Sequence, residues 1–179
     1  MTRFDPIMAS RANYWGGITA DLSVSLVAMI AGFWIGSLAS SFAAVLAGAA
    51  WYSLAEYAIH RWIYHAGSTV ASVVHDRHHA EPGTIIGSPF YYSLGIVGLH
   101  GIAVALLVDV PVALAFGGAM LFSYGQQSLV HHSAHRYPRV DVLGTHSRLR
   151  RHHALHHAAG DANFGVSTSL WDRVFGTLR

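Results

Sequence analysis

Fourteen of the 179 residues are histidine, and ten of them stand in four clusters: His60/His65, His75/His78/His79, His131/His135 and His153/His156/His157. Residues three and four apart share a helix face. His75 with His78 and His79, His131 with His135, and His153 with His156 and His157 are therefore each expected to aim imidazoles at one point. One such pair is commonly a surface or structural feature, but four in a short chain form a ligand set. Neutral imidazole is the commonest metal ligand and suits iron, zinc, copper and nickel. Ten of them suffice for two metal ions, so the fold must bring four distant segments to one place.

Composition says where that place is. Hydrophobic residues make up 53% of the chain and charged residues 11%, against about a quarter charged in soluble domains. No formal charge occurs between Asp21 and Glu56, a stretch which as one helix would run to about 50 Å, too long for a hydrocarbon core of about 30 Å. Two spans near 18–36 and 41–60 fit better, broken at Gly36-Ser37-Leu38-Ala39-Ser40-Ser41. A second pair is expected at about 90–108 and 112–131, divided at Asp109-Val110-Pro111, where proline suits a helix start. The expected fold is all-α: a membrane protein with four transmembrane helices in two hairpins and a cytoplasmic, histidine-rich helical cap. Its length makes residues 1–179 a single membrane-embedded domain.

Orientation follows from the arginines, which carry all the Lys/Arg charge. They stand at Arg3, Arg11, Arg61, Arg77, Arg136, Arg139, Arg148, Arg150, Arg151, Arg173 and Arg179, none of them in a hairpin turn. By the positive-inside rule the N-terminus, the 61–89 loop and everything after 131 face the cytoplasm. All four histidine clusters then lie on one side, which charge bias and cluster position indicate independently.

Absence of cysteine excludes disulfides, iron–sulfur ligation and haem-thiolate chemistry within the chain. The first 17 residues are polar, and the apolar run after them is long enough to stay as a span, so no cleavable signal peptide is expected. The pI near 9.2 reflects arginines beside membrane spans, which are topology signals and anionic-lipid contacts; no nucleic-acid partner is expected.

Outside the clusters, His100 falls inside the third span, where a hydrogen-bonded or cavity-lining imidazole is the expectation. His132, His146 and His152 are unassigned, with outer-layer roles beside their ligand neighbours favoured. Glu56, one turn before His60, is a candidate to orient that histidine or face a polar cavity. Asp76, Asp161 and Asp172 have similar claims, set against ordinary solvated or capping roles.

The four blocks, H-x4-H, H-x2-H-H, H-x3-H and H-x2-H-H, resemble those of the membrane fatty acid hydroxylase and sterol desaturase superfamily. Two further segments are similar to the fatty acid 2-hydroxylase branch: Trp51-Tyr52-Ser53-Leu54-Ala55-Glu56-Tyr57-Ala58-Ile59-His60-Arg61, and Asn163-Phe164-Gly165-Val166-Ser167-Thr168-Ser169-Leu170-Trp171-Asp172-Arg173-Val174-Phe175-Gly176-Thr177. The resemblance covers about 50 to 179. It implies a membrane-bound, O2-dependent dimetal hydroxylase that inserts oxygen into a lipid acyl chain at C2. The cofactors would be two iron ions, with zinc able to take the same donors in a purified sample, and O2 the cosubstrate. His60, His65, His75, His78, His79, His131, His135, His153, His156 and His157 would be the ligands, with no catalytic residue beyond them. Branch members often carry an N-terminal cytochrome b5 domain. Here about 17 residues precede the first span, implying an external ferredoxin- or cytochrome-type electron donor beside a membrane lipid substrate. The implied location is the inner membrane of a bacterium, with the active site on the cytoplasmic side.

Other readings rank below. Size, and His79-Ala80-Glu81-Pro82, resemble small bacterial carotenoid ring hydroxylases, whose ending lacks a segment like Trp171–Thr177; lipid or sterol desaturation ranks third. A metal transporter would place its ligands near the bilayer midplane, where only His100 falls. Structural zinc is closed and four-coordinate, fewer ligands than are available.

Overall fold

The computed structural model describes residues 5–65, 67–136 and 145–179, with backbone alone at 5 and 145–147. Arg3, Arg139 and the side chain of His146 lie outside that set. Every regular element among the described residues is helical: α1 (Asp5–Met8), α2 (Arg11–Ile35), α3 (Leu38–Ile59) continued by a π-helical turn (His60–Tyr64), α4 (Val70–Ala80), α5 (Phe90–Leu107), α6 (Val110–Arg136), α7 (Thr145–Ala159) and α8 (Leu170–Val174). The chain divides into two compact units, residues 1–52 with 85–125, and residues 53–84 with 126–179.

Both hairpin breaks fall where small and turn-forming residues place them. Between α2 and α3, Ser37 Oγ accepts the amide of Ser40, a hydroxyl cap on a new helix. Between α5 and α6, Asp109 Oδ1 accepts the amide of Val112 at 2.8 Å, while Pro111 occupies the first turn, where its missing N–H costs nothing.

In the first unit, which has a buried apolar cluster at Val97, Met120 and Leu121, α2 inverts the usual pattern of burial. The buried face of α2 is Asn13, Gly17, Ile18, Asp21, Ser25 and Gly32, whereas Trp34 is 86% exposed and Leu106 on α5 is 82% exposed. Small and polar residues inside with large apolar ones outside suit a lipid solvent, in which helices associate through close backbone approach and hydrogen bonds. Ser93 Oγ donates to Asp21 Oδ1 at 2.7 Å, and the α5 amide of Phe90 donates to Asn13 Oδ1. A Cβ on Gly48 would meet the Phe116 carbonyl oxygen at 2.3 Å, so α3 and α6 approach to a distance only glycine allows.

Among the described residues, three helices are long and apolar enough to cross a membrane: Arg11–Ile35, Leu38–Tyr64 and Phe90–Leu107. The expected span 112–131 lies within α6, which has the length but is not among the three. Its apolar run is interrupted by Ser123, Tyr124, Gln126 and Gln127 before the histidines begin.

Candidate metal centre

All ten clustered histidines lie in the second unit, and their ring nitrogens gather into two groups of five. One comprises His60, His65, His75, His79 and His156, the other His78, His131, His135, His153 and His157; within each group the potential ligand atoms lie within 4.8 Å of one another. This corrects the expectation that each sequence cluster aims at one point. On α4, His75 and His79 enter the first group and His78 the second; on α7, His153 and His157 enter the second group and His156 the first. Helix geometry explains the division. Positions i and i+4 differ by about 40° around the axis, whereas position i+3 lies about 60° to the other side of i. Each helix therefore gives a pair to one group and its intervening histidine to the other.

His60 and His65, five apart, would diverge on an α-helix. The π-helical turn His60–Tyr64 closes its backbone bonds over five residues and returns both rings to one group.

The spacing within the first group can be tested against a metal. Nε2 atoms of His65, His75, His79 and His156 form a closed ring with edges of 2.9, 3.0, 3.1 and 3.1 Å, and His60 Nε2 stands 3.1 Å from that of His75. Nitrogens held about 2.1 Å from a metal are about 3.0 Å apart at right angles and about 3.4 Å apart in a tetrahedron. The ring has the right-angle spacing. In the second group three Nε2 pairs, His78/His131, His135/His153 and His153/His157, stand 2.9, 3.0 and 3.0 Å apart.

Proton placement agrees. His156 Nδ1 donates to the Ala162 carbonyl at 2.8 Å and His60 Nδ1 donates to the Phe164 carbonyl. Each neutral ring has one N–H, so the Nε2 atoms of both carry lone pairs into the group. Two lone pairs so directed, with three further imidazole nitrogens about 3 Å away, are a donor set that suits one cation.

The loop that supplies these carbonyls is held by two carboxylates. Four consecutive amides point at them: Phe164 and Gly165 donate to Asp172 at 2.8 and 2.9 Å, while Val166 and Ser167 donate to Glu56, which also accepts the Ser167 hydroxyl. His152 Nε2 donates to Asp172 at 3.0 Å, as does the Thr177 hydroxyl at 2.7 Å. With its proton so used, Thr177 accepts from Tyr57, which accepts from Arg61. Asn163 enters the loop with φ of 56°, a left-handed conformation that asparagine tolerates better than most residues. The two sequence segments 53–61 and 163–177 are thus one scaffold behind the first histidine group.

A family model described as fatty acid hydroxylase matches residues 45–177, a range that contains both histidine groups and both carboxylates. The chain belongs to the fatty acid hydroxylase family. It is similar to a dihydroceramide fatty acyl 2-hydroxylase of Arabidopsis thaliana, with 29% identity over 137 residues, 71% of this chain and 56% of that protein. It is also similar to the human fatty acid 2-hydroxylase, with 31% identity over 140 residues, 71% of this chain and 37% of that protein. The chain therefore spans about half or less of these relatives. In fold it is similar to the hydroxylase domain visible in a structure of full-length scs7p, with a TM-score of 0.80 over 99% of this chain and 70% of that one, at 21% identity.

The remaining candidate residues fall into place individually. His100 joins neither histidine group; its Nδ1 donates to the Ile96 carbonyl one turn back. His132 joins neither group, and His152 orients Asp172. Glu56 binds the loop and not His60. Asp161 is exposed and pairs with Arg179 at 2.9 Å, the solvated role; Asp76 is exposed too. Sequence reasoning missed Asn163, the carbonyls of Ala162 and Phe164, and the clamp function of Asp172. Backbone acceptors carry no residue signature, so only the density of the 163–177 segment marked the place.

Burial first, and neighbouring imidazoles second, push His75 and His157 down to about 2 and His78 to about 3. Burial likewise lowers His156 to about 4, against the hydrogen bond to Ala162. These four histidines are therefore neutral at pH 7, as metal ligation requires. A sign follows for the metal-free chain. The unfolded chain takes up protons near the ordinary value of about 6.5, which the folded chain refuses until much lower pH, so stability is lost as pH falls below that value. The thermal midpoint of metal-stripped protein in detergent should be level between about pH 8 and 7 and fall steadily from about 6.5 to 4. An unchanged midpoint over the acid range would show that burial does not hold these rings neutral.

Proposed function

We propose that this chain, a member of the fatty acid hydroxylase family, is a membrane-bound, O2-dependent dimetal enzyme that hydroxylates a lipid acyl chain next to its carbonyl. The observation that carries the reading is the convergence of ten neutral imidazoles into two five-membered groups. Relatives named as fatty acyl and fatty acid 2-hydroxylases support the substrate class and the carbon. His60, His65, His75, His79 and His156 would hold one iron ion, and His78, His131, His135, His153 and His157 the other. When bound, such a pair supplies the redox chemistry with O2 that an unactivated C–H bond demands. One oxygen atom enters the chain as hydroxyl, and the other leaves as water with two electrons and two protons from a donor.

The protein's own part is to hold ten donors neutral and oriented. Five neutral nitrogens at right-angle spacing leave room for a further ligand, as catalytic sites need and closed structural zinc sites do not. The same observation disfavours transport, because these ligands close the ends of α3 and α6 and flank them on α4 and α7, whereas His100 alone lies deep in an apolar helix. A further part of the reading is that α6 is a fourth span and that the histidine-rich part faces the cytoplasm of a bacterium. There Arg148, Arg151 and Arg173 would offer an acidic ferredoxin- or cytochrome-type donor an electrostatic docking face.

Expression in a host with and without the gene, followed by lipid mass spectrometry under isotopically labelled O2, tests the reading. The expected product is an acyl chain carrying one labelled oxygen at C2. A labelled carotenoid would move the assignment to ring hydroxylation, loss of two hydrogens without label would make the enzyme a desaturase, and metal uptake by vesicles without oxygen consumption would make it a transporter.

A further inference from the structure

The two histidine groups are equal in number but not in support. In the first, His60 and His156 have their Nδ1 protons tied to the carbonyls of Phe164 and Ala162. In the second, among the described residues, no Nδ1 is paired with a backbone carbonyl, and His153 Nδ1 is buried without a hydrogen-bond partner. The difference traces to one loop. Asp172 and Glu56 draw the amides of residues 164 to 167 to one side. Amide and carbonyl of a peptide unit point in opposite directions, so the Gly165 amide held by Asp172 leaves the Phe164 carbonyl facing His60, and Glu56 fixes the two amides that follow. The Ala162 carbonyl shares its unit with the Asn163 amide, which donates to the Thr177 carbonyl at 2.9 Å, and Thr177 is itself bonded to Asp172. The two clamping carboxylates differ in exposure, with Glu56 half-buried. Asp172 is fully buried, and hydrogen bonds from His152, Thr177, Gly165 and Phe164 outweigh that burial and hold its carboxyl below the ordinary value. An anion kept charged out of water is costly unless its partners are fixed, so these partners do not drift.

We infer that Asp172 and Glu56 are positioning residues that build the first histidine group before any metal arrives, so that the two groups differ in affinity and fill in order, the first group first. The inference rests on the metal-holding reading above. Rings already aimed lose less freedom on binding, whereas the second group must be ordered by the ion itself. Outer partners of ligating histidines are typically worth about 10–100-fold in metal affinity.

The test is zinc titration of metal-free, full-length protein in detergent, with bound metal counted by elemental analysis. Wild type should bind in two steps; His65→Ala should delete the tighter step and His135→Ala the weaker. Asp172→Asn keeps the shape but turns an NH2 toward the amides of residues 164 and 165, and Glu56→Gln does the same to residues 166 and 167. Each should weaken the tight step by about 10–100-fold and leave the weak step unchanged, with helicity retained. General loosening of the fold would weaken both steps together, and that result overturns the inference, as does an unaltered tight step in both variants or a wild type whose two steps coincide. A wild-type chain that binds no zinc overturns the metal reading itself and this inference with it.

Discussion

His156→Ala and His78→Ala should each abolish hydroxylation, with a loss beyond the 10–100-fold that outer partners of a metal ligand cost, while the protein still inserts and keeps its helices. His156 is a vertex of the ring of Nε2 atoms, 3.1 Å from both His65 and His79, so its removal opens two edges at once. His78 plays the corresponding part in the second group as the α4 histidine that crosses over. Insertion survives because folding rests on apolar helices and their small-residue contacts, to which neither imidazole contributes. The two variants are informative as a pair, since each should lose metal from a different group. His100→Ala is the control: among the described residues its polar contact is the Ile96 carbonyl of its own helix, and activity should persist. Full activity of both ligand variants in a reconstituted assay would refute the metal assignment, and loss in His100→Ala equal to theirs would show that activity tracks membrane packing.

Much of this site is legible in the sequence because its chemistry is carried by side chains with a recognisable period. Histidines at helical spacing, flanked by apolar runs of membrane length, name the ten residues that gather into the two groups. How the donors divide is not legible. His75, His78 and His79 read as one cluster, yet the two sides of α4 face different groups, and only the packing of a second histidine helix beside it decides which ring goes where. The five-residue step from His60 to His65 likewise presupposes a π-helical turn that no residue type announces. The fold shows the same boundary. Gly36-Ser37 and Asp109-Pro111 mark their turns through local chemistry, namely caps and a missing N–H. The loop at 162–167 depends on a carboxylate 110 and 111 residues away in the chain from the amides it holds, Glu56 with Val166 and Ser167, and on carbonyls that every residue possesses.

Gly165→Ala should be the most damaging single methyl group in the second unit. A Cβ built there would lie 2.0 Å from the Thr168 carbonyl oxygen and 2.9 Å from Asp172 Oδ2, and the first of these neighbours is backbone that cannot rotate away. The loop would have to open, taking the Gly165 amide off Asp172 and, through the shared chain, loosening the Phe164 carbonyl from His60. Overpacking of a well-fitted interior costs about 1–3 kcal/mol and occasionally more; with a buried carboxylate losing a donor as well, the expected cost is about 3 kcal/mol or more. The thermal midpoint should drop well below wild type, and metal should be lost from the first histidine group before the second. Gly98→Ala on α5 provides the contrast, since nothing lies within 4 Å of a Cβ there, and its midpoint should stay at or above wild type because alanine is the better helix former by about 1 kcal/mol. Equal behaviour of the two variants would mean that the 162–167 loop yields freely, and the carbonyls of Ala162 and Phe164 would then not be fixed enough to orient His156 and His60.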